Sequence, residues 1–143
     1  MTPDALARAC ADHMWAADRA SAELGMAVED VRPGAARVTM RVAPRMLNGY
    51  GICHGGYIFT LADTAFAFAC NTDGMVSVAA HCSIAYLRPA REGELLVATA
   101  EERQREGRSG IYDVRVTAGE AIVAEFRGHS RTTGARMELD SAG

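Results

Sequence analysis

"CHGGYIFTLADTAFAFACN", residues 53–71, decides the fold. From Gly55 to Asn71 nearly every side chain is apolar or small, which predicts a helix about 25 Å long at roughly 1.5 Å per residue. A helix that is hydrophobic almost all round is stable only when other elements enclose it. One carboxylate, Asp63, interrupts it, flanked by Phe59, Leu61, Ala62, Ala65, Phe66, Ala67 and Phe68. Aspartate is a poor helix former away from the first turn and is rarely buried without a partner. No Arg lies within four residues of it. Asp63 therefore reaches solvent at a groove, meets an Arg from elsewhere in the chain, or has a chemical task.

The rest of the chain supplies the enclosure. Residues 3–17 read as a helix with Thr2 as its cap, Pro3 at its first position and Leu6, Cys10, His13, Met14 and Ala17 as its apolar stripe. Two extended stretches follow, 25–31 and 36–43, parted by Pro33-Gly34; in the second, Val38, Met40 and Val42 alternate with Arg37, Thr39 and Arg41. After residue 74 the pattern is entirely extended: 76–87, 93–104, 111–118 and 121–132 read as four successive strands of a meander. From Gly134 no core signal remains, so the domain is expected to span 1–133 with 134–143 a disordered tail. One antiparallel sheet and one all-round apolar helix imply an α+β single domain in which the sheet curls about the helix.

The 143 residues suit one domain with a substantial core. A net charge of −3, with 49% hydrophobic and 23% charged residues, argues against a nucleic-acid partner, which needs a basic face. All 15 basic residues are Arg. Cys10, Cys53, Cys70 and Cys82 form no CxxC pair, and no signal peptide precedes them, so reduced thiols in a cytoplasmic protein are expected. The apolar run around Asp63 is too short to span a membrane.

"HGG" opens the helix. Gly55 and Gly56 let a ligand approach the backbone, and the free N–H groups of a first turn, at the positive end of the dipole, form an anion site suited to a developing oxyanion. Gly55 and Asp63 are eight residues apart, roughly 12 Å along the axis, so one carbonyl cannot touch both. Two copies of the helix packed antiparallel about a two-fold axis bring Gly55 of one against Asp63 of the other, twice. This predicts a homodimer with shared active sites.

"NGYGICHGGYIFTLADTAFAFACN" (48–71), "YLRPAREGE" (86–94) and "GIYDVRV" (110–116) together resemble the hotdog-fold acyl-CoA thioesterases, and among them the phenylacetate-degradation, PaaI-type branch. The resemblance covers roughly residues 5–133. It implies a sheet rolled round a central helix, dimers joined into a continuous sheet and often paired again into a homotetramer. Asp63 matches the catalytic carboxylate, nucleophile or general base, and Gly55 the backbone N–H that polarises the thioester carbonyl. Asn48 and His54 match residues that position the acyl thioester, and Thr64 a hydroxyl beside the aspartate. The implied substrates are phenylacetyl-CoA and its ring-hydroxylated derivatives, with no metal and no organic cofactor. Tyr50 and Ile52, in the loop before the helix, are positions that shape the acyl pocket.

Each residue also has a plainer reading. His54 suits a helix cap, and Asn48-Gly49 suits a turn. Burial raises the pKa of Asp63 while an opposed helix N-terminus lowers it. CoA phosphates call for Arg at the pocket mouth, where Arg88 and Arg91 flank Pro89 and Arg105 and Arg108 lie in the next turn; as solvated surface they need no ligand. A Cys53–His54 dyad is disfavoured because adjacent side chains diverge, and the Cys53-His54 and His81-Cys82 pairs fit no common zinc spacing. The rival readings of the whole chain are a hotdog dehydratase acting on acyl thioesters, whose motif differs, and a non-catalytic acyl-CoA-binding module, in which the acid is normally lost.

Overall fold

A computed structural model describes residues 1–139. Helix α1 (Pro3–Ala17) is followed by a short α2 (Arg19–Glu23) and by strands β1 (Ala27–Arg32) and β2 (Ala35–Arg41). A 3-10 turn at Pro44–Met46 leads to α3 (Gly55–Ala69), and β3 (Met75–Tyr86), β4 (Leu95–Glu106), β5 (Ser109–Ala118) and β6 (Ala121–Arg136) complete the chain. The strands form one six-stranded sheet in the order β1-β2-β4-β5-β6-β3, with antiparallel neighbours throughout. Helix α3 packs against all six strands, so the sheet curls around it.

The enclosure follows from strand alternation. Val38 and Met40 of β2, Leu96 and Ala98 of β4, Val114 and Val116 of β5 and Phe126 of β6 are buried toward the helix. Phe66 of α3 lies at the centre, its ring centroid 5.7 Å from Tyr112 and 5.8 Å from Phe126. Gly128 of β6 lies against the same ring; a Cβ there would sit 2.7 Å from three ring carbons.

Four expectations are corrected. First, the last four strands are not a meander: β3 pairs with β6 at one edge, not with β4. Its connection to β4 crosses beneath the start of α3. Leu87 N–H donates to Val123 C=O (2.8 Å), Cys53 N–H to Ala90 C=O (2.8 Å) and Val42 N–H to Glu94 C=O (2.9 Å), which carries the chain from β6 to β2. Second, α1 buries Ala7, Cys10 and Ala11 while His13 and Ala17 are exposed, because small alanines give the closest approach to the core. Third, α3 stops at Ala69, and Asn71 instead staples the helix end to β3, exchanging hydrogen bonds with Ala67 C=O (2.9 Å) and with the N–H and C=O of Ser77 (2.8 and 3.1 Å). Fourth, β6 continues to Arg136, and Met137 N–H donates to Gly74 C=O (2.7 Å), so the sheet takes in residues expected to be tail; residues 140–143 lie outside those described.

Candidate active site

The first turn of α3 has nearly all its donors committed. His54 is the N-cap: its Nδ1 accepts from Gly56 N–H at 2.9 Å, and its C=O accepts from Tyr57 N–H at 3.0 Å. Gly55 N–H has no acceptor among the described residues. The cap thus leaves one unengaged donor at the positive end of the helix, pointing along its axis. Losing the cap should matter measurably. His54→Ala is expected to cost about 1 kcal/mol in a urea titration, and His54→Asn, which keeps a capping oxygen, should restore it. If His54 also holds substrate through its free Nε2, Asn restores stability and leaves KM raised.

Tyr86, at the end of β3, closes over this turn. Its hydroxyl donates to Gly55 C=O at 2.9 Å, and its ring occupies the space above the Gly55 Cα, where an added Cβ would lie 3.0 Å from Cζ. A side chain at position 55 would have to displace that ring by a few tenths of an ångström. Burial pushes the Tyr86 hydroxyl above its ordinary pKa, so it remains a donor. Tyr86, Asn48, Gly55, Ile58, Arg88 and Pro89 line a cavity of about 370 Å³. Asn48 Oδ1 accepts from Tyr50 N–H (2.9 Å) and Ile52 N–H (3.3 Å), a turn that leaves the amide nitrogen as its remaining donor.

Asp63 lies two turns further along, on the one stripe of α3 that the sheet does not cover: Gly56, Thr60, Asp63 and Ala67. Its neighbour is Cys82 of β3, whose Sγ is 3.9 Å from Oδ1. Burial pushes the Asp63 carboxyl above the usual carboxylate range, and the Cys82 thiol partly opposes this. No Arg pairs with it among the described residues.

Other expected site residues are placed differently. Thr64 is buried and faces inward, donating to Thr60 C=O (2.8 Å) with its Oγ1 3.3 Å from Ser21, so within one protomer it does not line the cavity. Tyr50 is 92% exposed on the loop and outside the cavity. Arg88 is at the cavity mouth, and Arg91 is in the adjacent turn, its N–H on Glu94 (2.7 Å). Arg108 is in the β4–β5 turn, where its C=O accepts from Thr132 N–H (2.8 Å). Thr132 is eight residues along β6 from Ala124, the partner of Tyr86, hence roughly 26 Å from the Gly55 end. Arg105 is committed to Asp73 at 2.7 Å. Tyr86 and Cys82 were missed; the available signal was their i, i+4 spacing on one face of the strand that follows the helix.

A larger cavity, about 460 Å³, lies on the outer face of the sheet. Its carboxylates are taken up by arginines: Asp113 by Arg127 (2.6 Å) and Arg103 (3.0 Å), and Glu125 by Arg115 (2.7 Å).

A sheet wrapped on a central helix, with an open N–H at the helix start and a carboxylate on its uncovered stripe, defines a hotdog-fold protein. Residues 50–125 match the family model described as the thioesterase superfamily. The chain is 44% identical to the acyl-coenzyme A thioesterase PaaI of Escherichia coli over 122 residues, 85% of this chain and 87% of that protein. It is also similar to the solved structure of the E. coli PaaI protein from the phenylacetic acid degradation operon, with a TM-score of 0.92 and 40% identity over 94% of this chain and 99% of that one. A Streptococcus mutans protein solved with acetyl CoA bound matches with a TM-score of 0.75 and 30% identity over 78% of this chain and 91% of that one. The chain belongs to the thioesterase superfamily and is a thioester hydrolase. No helix among the described residues is long and apolar enough to cross a membrane.

Proposed function

We propose that this protein hydrolyses phenylacetyl-CoA and ring-hydroxylated phenylacetyl-CoA to the free acid and CoA, in the cytoplasm, as a homodimer with two shared active sites. The carrying observation is the pairing of one unengaged N–H, on Gly55, with one half-buried, Arg-free carboxylate, on Asp63. Gly55 N–H receives the thioester oxygen as negative charge develops on it. Asp63 either takes a proton from water as that water adds to the carbonyl carbon and returns it to sulfur as the C–S bond breaks, or adds itself and expels CoA thiolate. The second course leaves an acyl–aspartyl anhydride that a second-step water hydrolyses to the free acid, its proton going to the thiolate. His54 and Asn48 hold the thioester between them, Gly56 leaves room for it, and Arg88 and Arg91 face the CoA phosphates. With roughly 12 Å between Gly55 and Asp63, each site needs both chains.

Strand β3 supports the dimer. It is an edge strand of 12 residues, with Val78 51% and Tyr86 50% exposed, and such an edge accepts a second strand readily. An antiparallel copy of itself continues the sheet and turns the two α3 helices against each other; a second pairing of dimers gives a tetramer. CoA thioesters as substrates are supported by the similarity to the E. coli acyl-coenzyme A thioesterase and to the S. mutans protein solved with acetyl CoA bound.

The test is free-CoA release from aryl, short-chain and long-chain acyl-CoAs. Phenylacetyl-type substrates are expected to give the highest kcat/KM. A protein that binds acyl-CoA across the panel yet releases no CoA would be a binding module, and this reading would fall.

A further inference from the structure

One strand holds both of the residues that its chain gives to the two shared sites. Cys82 and Tyr86 are four residues apart on one face of β3, about 13 Å at roughly 3.3 Å per residue. Gly55 and Asp63 are eight residues apart on α3, roughly 12 Å at 1.5 Å per residue. The two spacings match, so a straight strand beside the helix meets it at both points: Tyr86 Oη on Gly55 C=O at 2.9 Å, and Cys82 Sγ beside Asp63 Oδ1 at 3.9 Å. We propose that β3 acts as a ruler along its own α3 and that Tyr86 and Cys82 are its positioning residues, Tyr86 orienting the Gly55–Gly56 peptide for one site of the dimer and Cys82 holding Asp63 Oδ1 for the other, so that Oδ2 is left to react.

Each contact addresses a specific freedom. Two consecutive glycines give the first turn of α3 conformational freedom, and the open Gly55 N–H belongs to the His54–Gly55 peptide, whose direction depends on the Gly55–Gly56 peptide joined to it at the Gly55 Cα. His54 holds that second peptide at its Gly56 N–H (2.9 Å), and Tyr86 holds it at its Gly55 C=O (2.9 Å). Asp63 has no ion pair to fix the orientation of its carboxylate, and Cys82 is the one side-chain donor that meets it among the described residues. The thiol is neutral in that role: burial, and then the Asp63 charge, push it above its ordinary value. Of the other ionisable groups, Cys70 at the end of α3 senses Asp63 but is pushed up to about 12, chiefly by burial. Arg105 of β4 is paired with Asp73 at 2.7 Å. Among the described residues no ion pair includes Asp63.

The inference rests on the proposed roles of Gly55 and Asp63, and the variants separate the two levels. Tyr86→Phe keeps the ring and removes the hydroxyl; kcat is expected to fall roughly three- to tenfold with KM unchanged and the pH profile unmoved, the loss of one hydrogen bond of about 1 kcal/mol. Cys82→Ala should move the acid limb of the kcat/KM profile to higher pH, lowering the rate on that limb roughly three- to tenfold, while Cys82→Ser keeps it in place. A ¹³C titration of the Asp63 carboxyl, which needs no turnover, should move in the same direction. Wild-type kcat in Tyr86→Phe, or an unmoved carboxyl titration in Cys82→Ala, overturns the ruler while leaving the parent reading intact. Full activity in Asp63→Asn overturns the parent reading and the ruler with it.

Discussion

Asp63→Asn should release CoA about 10³-fold more slowly than wild type from the best substrate, with little change in KM. A positioned acid–base or nucleophilic group contributes roughly 10² to 10⁴ to the rate, and the amide has nearly the same shape with no basic oxygen. The variant should not be a folding casualty. Burial raises the Asp63 pKa in the folded protein above the ordinary 3.8, so the folded state holds the proton more tightly than the unfolded chain does. Its contribution to stability is therefore full below the ordinary value and lost as pH rises through the raised one. At pH 7 the ionised carboxylate is a cost that Asn removes, so the Tm of Asp63→Asn should equal or exceed wild type's. Loss of activity with a lowered Tm would point to a structural role instead.

The same variant tests the sharing of sites. A Gly55→Val side chain would run into the Tyr86 ring, already 3.0 Å from a Cβ, and should be inactive alone. Mixed with Asp63→Asn, half of the random dimers hold one chain of each, and one of their two sites draws Asp63 and Gly55 from intact partners, giving about a quarter of wild-type activity. If Gly55 and Asp63 of one chain served one site, mixing would restore nothing.

Phe66→Ala should cost about 3–5 kcal/mol, measured by denaturant unfolding, the range for deleting a large buried aromatic. Phe66 is 1% exposed and touches the inner faces of β5 and β6 through Tyr112, Phe126 and Gly128. The cavity left behind cannot close easily, because Gly128 has no side chain to move into it. Against a typical total of 5–15 kcal/mol, such a loss leaves the domain marginal and its site disordered. Phe66→Leu, which keeps more of the volume, should fall well short of that cost. Equal losses for Ala and Leu would mean that ring geometry rather than volume holds the sheet on the helix.

The strengths and failures of sequence reading here have a common cause. Local periodicity is written in neighbouring residues, so the start of helix α3, the cap at Thr2, the strand at Val38 and Met40 and the alternation of β5 and β6 could all be read directly, although that strand ends at Arg41, one residue short of Val42. The direction of Thr64 is not written in its adjacency to Asp63: one residue on along a helix turns the side chain about 100°, here into the core beside Ser21. Order within the sheet was misjudged because alternation records which face a strand buries and nothing about which strand lies beside it.

By itself the sequence determined an α+β domain wrapped on one apolar helix, a glycine-rich start to that helix and a carboxylate two turns inside it, because each is written in residues a few positions apart. Only the tertiary structure decided that β3 crosses to the far edge, that its Tyr86 and Cys82 meet Gly55 and Asp63, and that His54 leaves a single N–H open. Those facts depend on distances between residues 19 to 31 positions apart, or on which of several competing donors an acceptor takes, and chain order specifies neither.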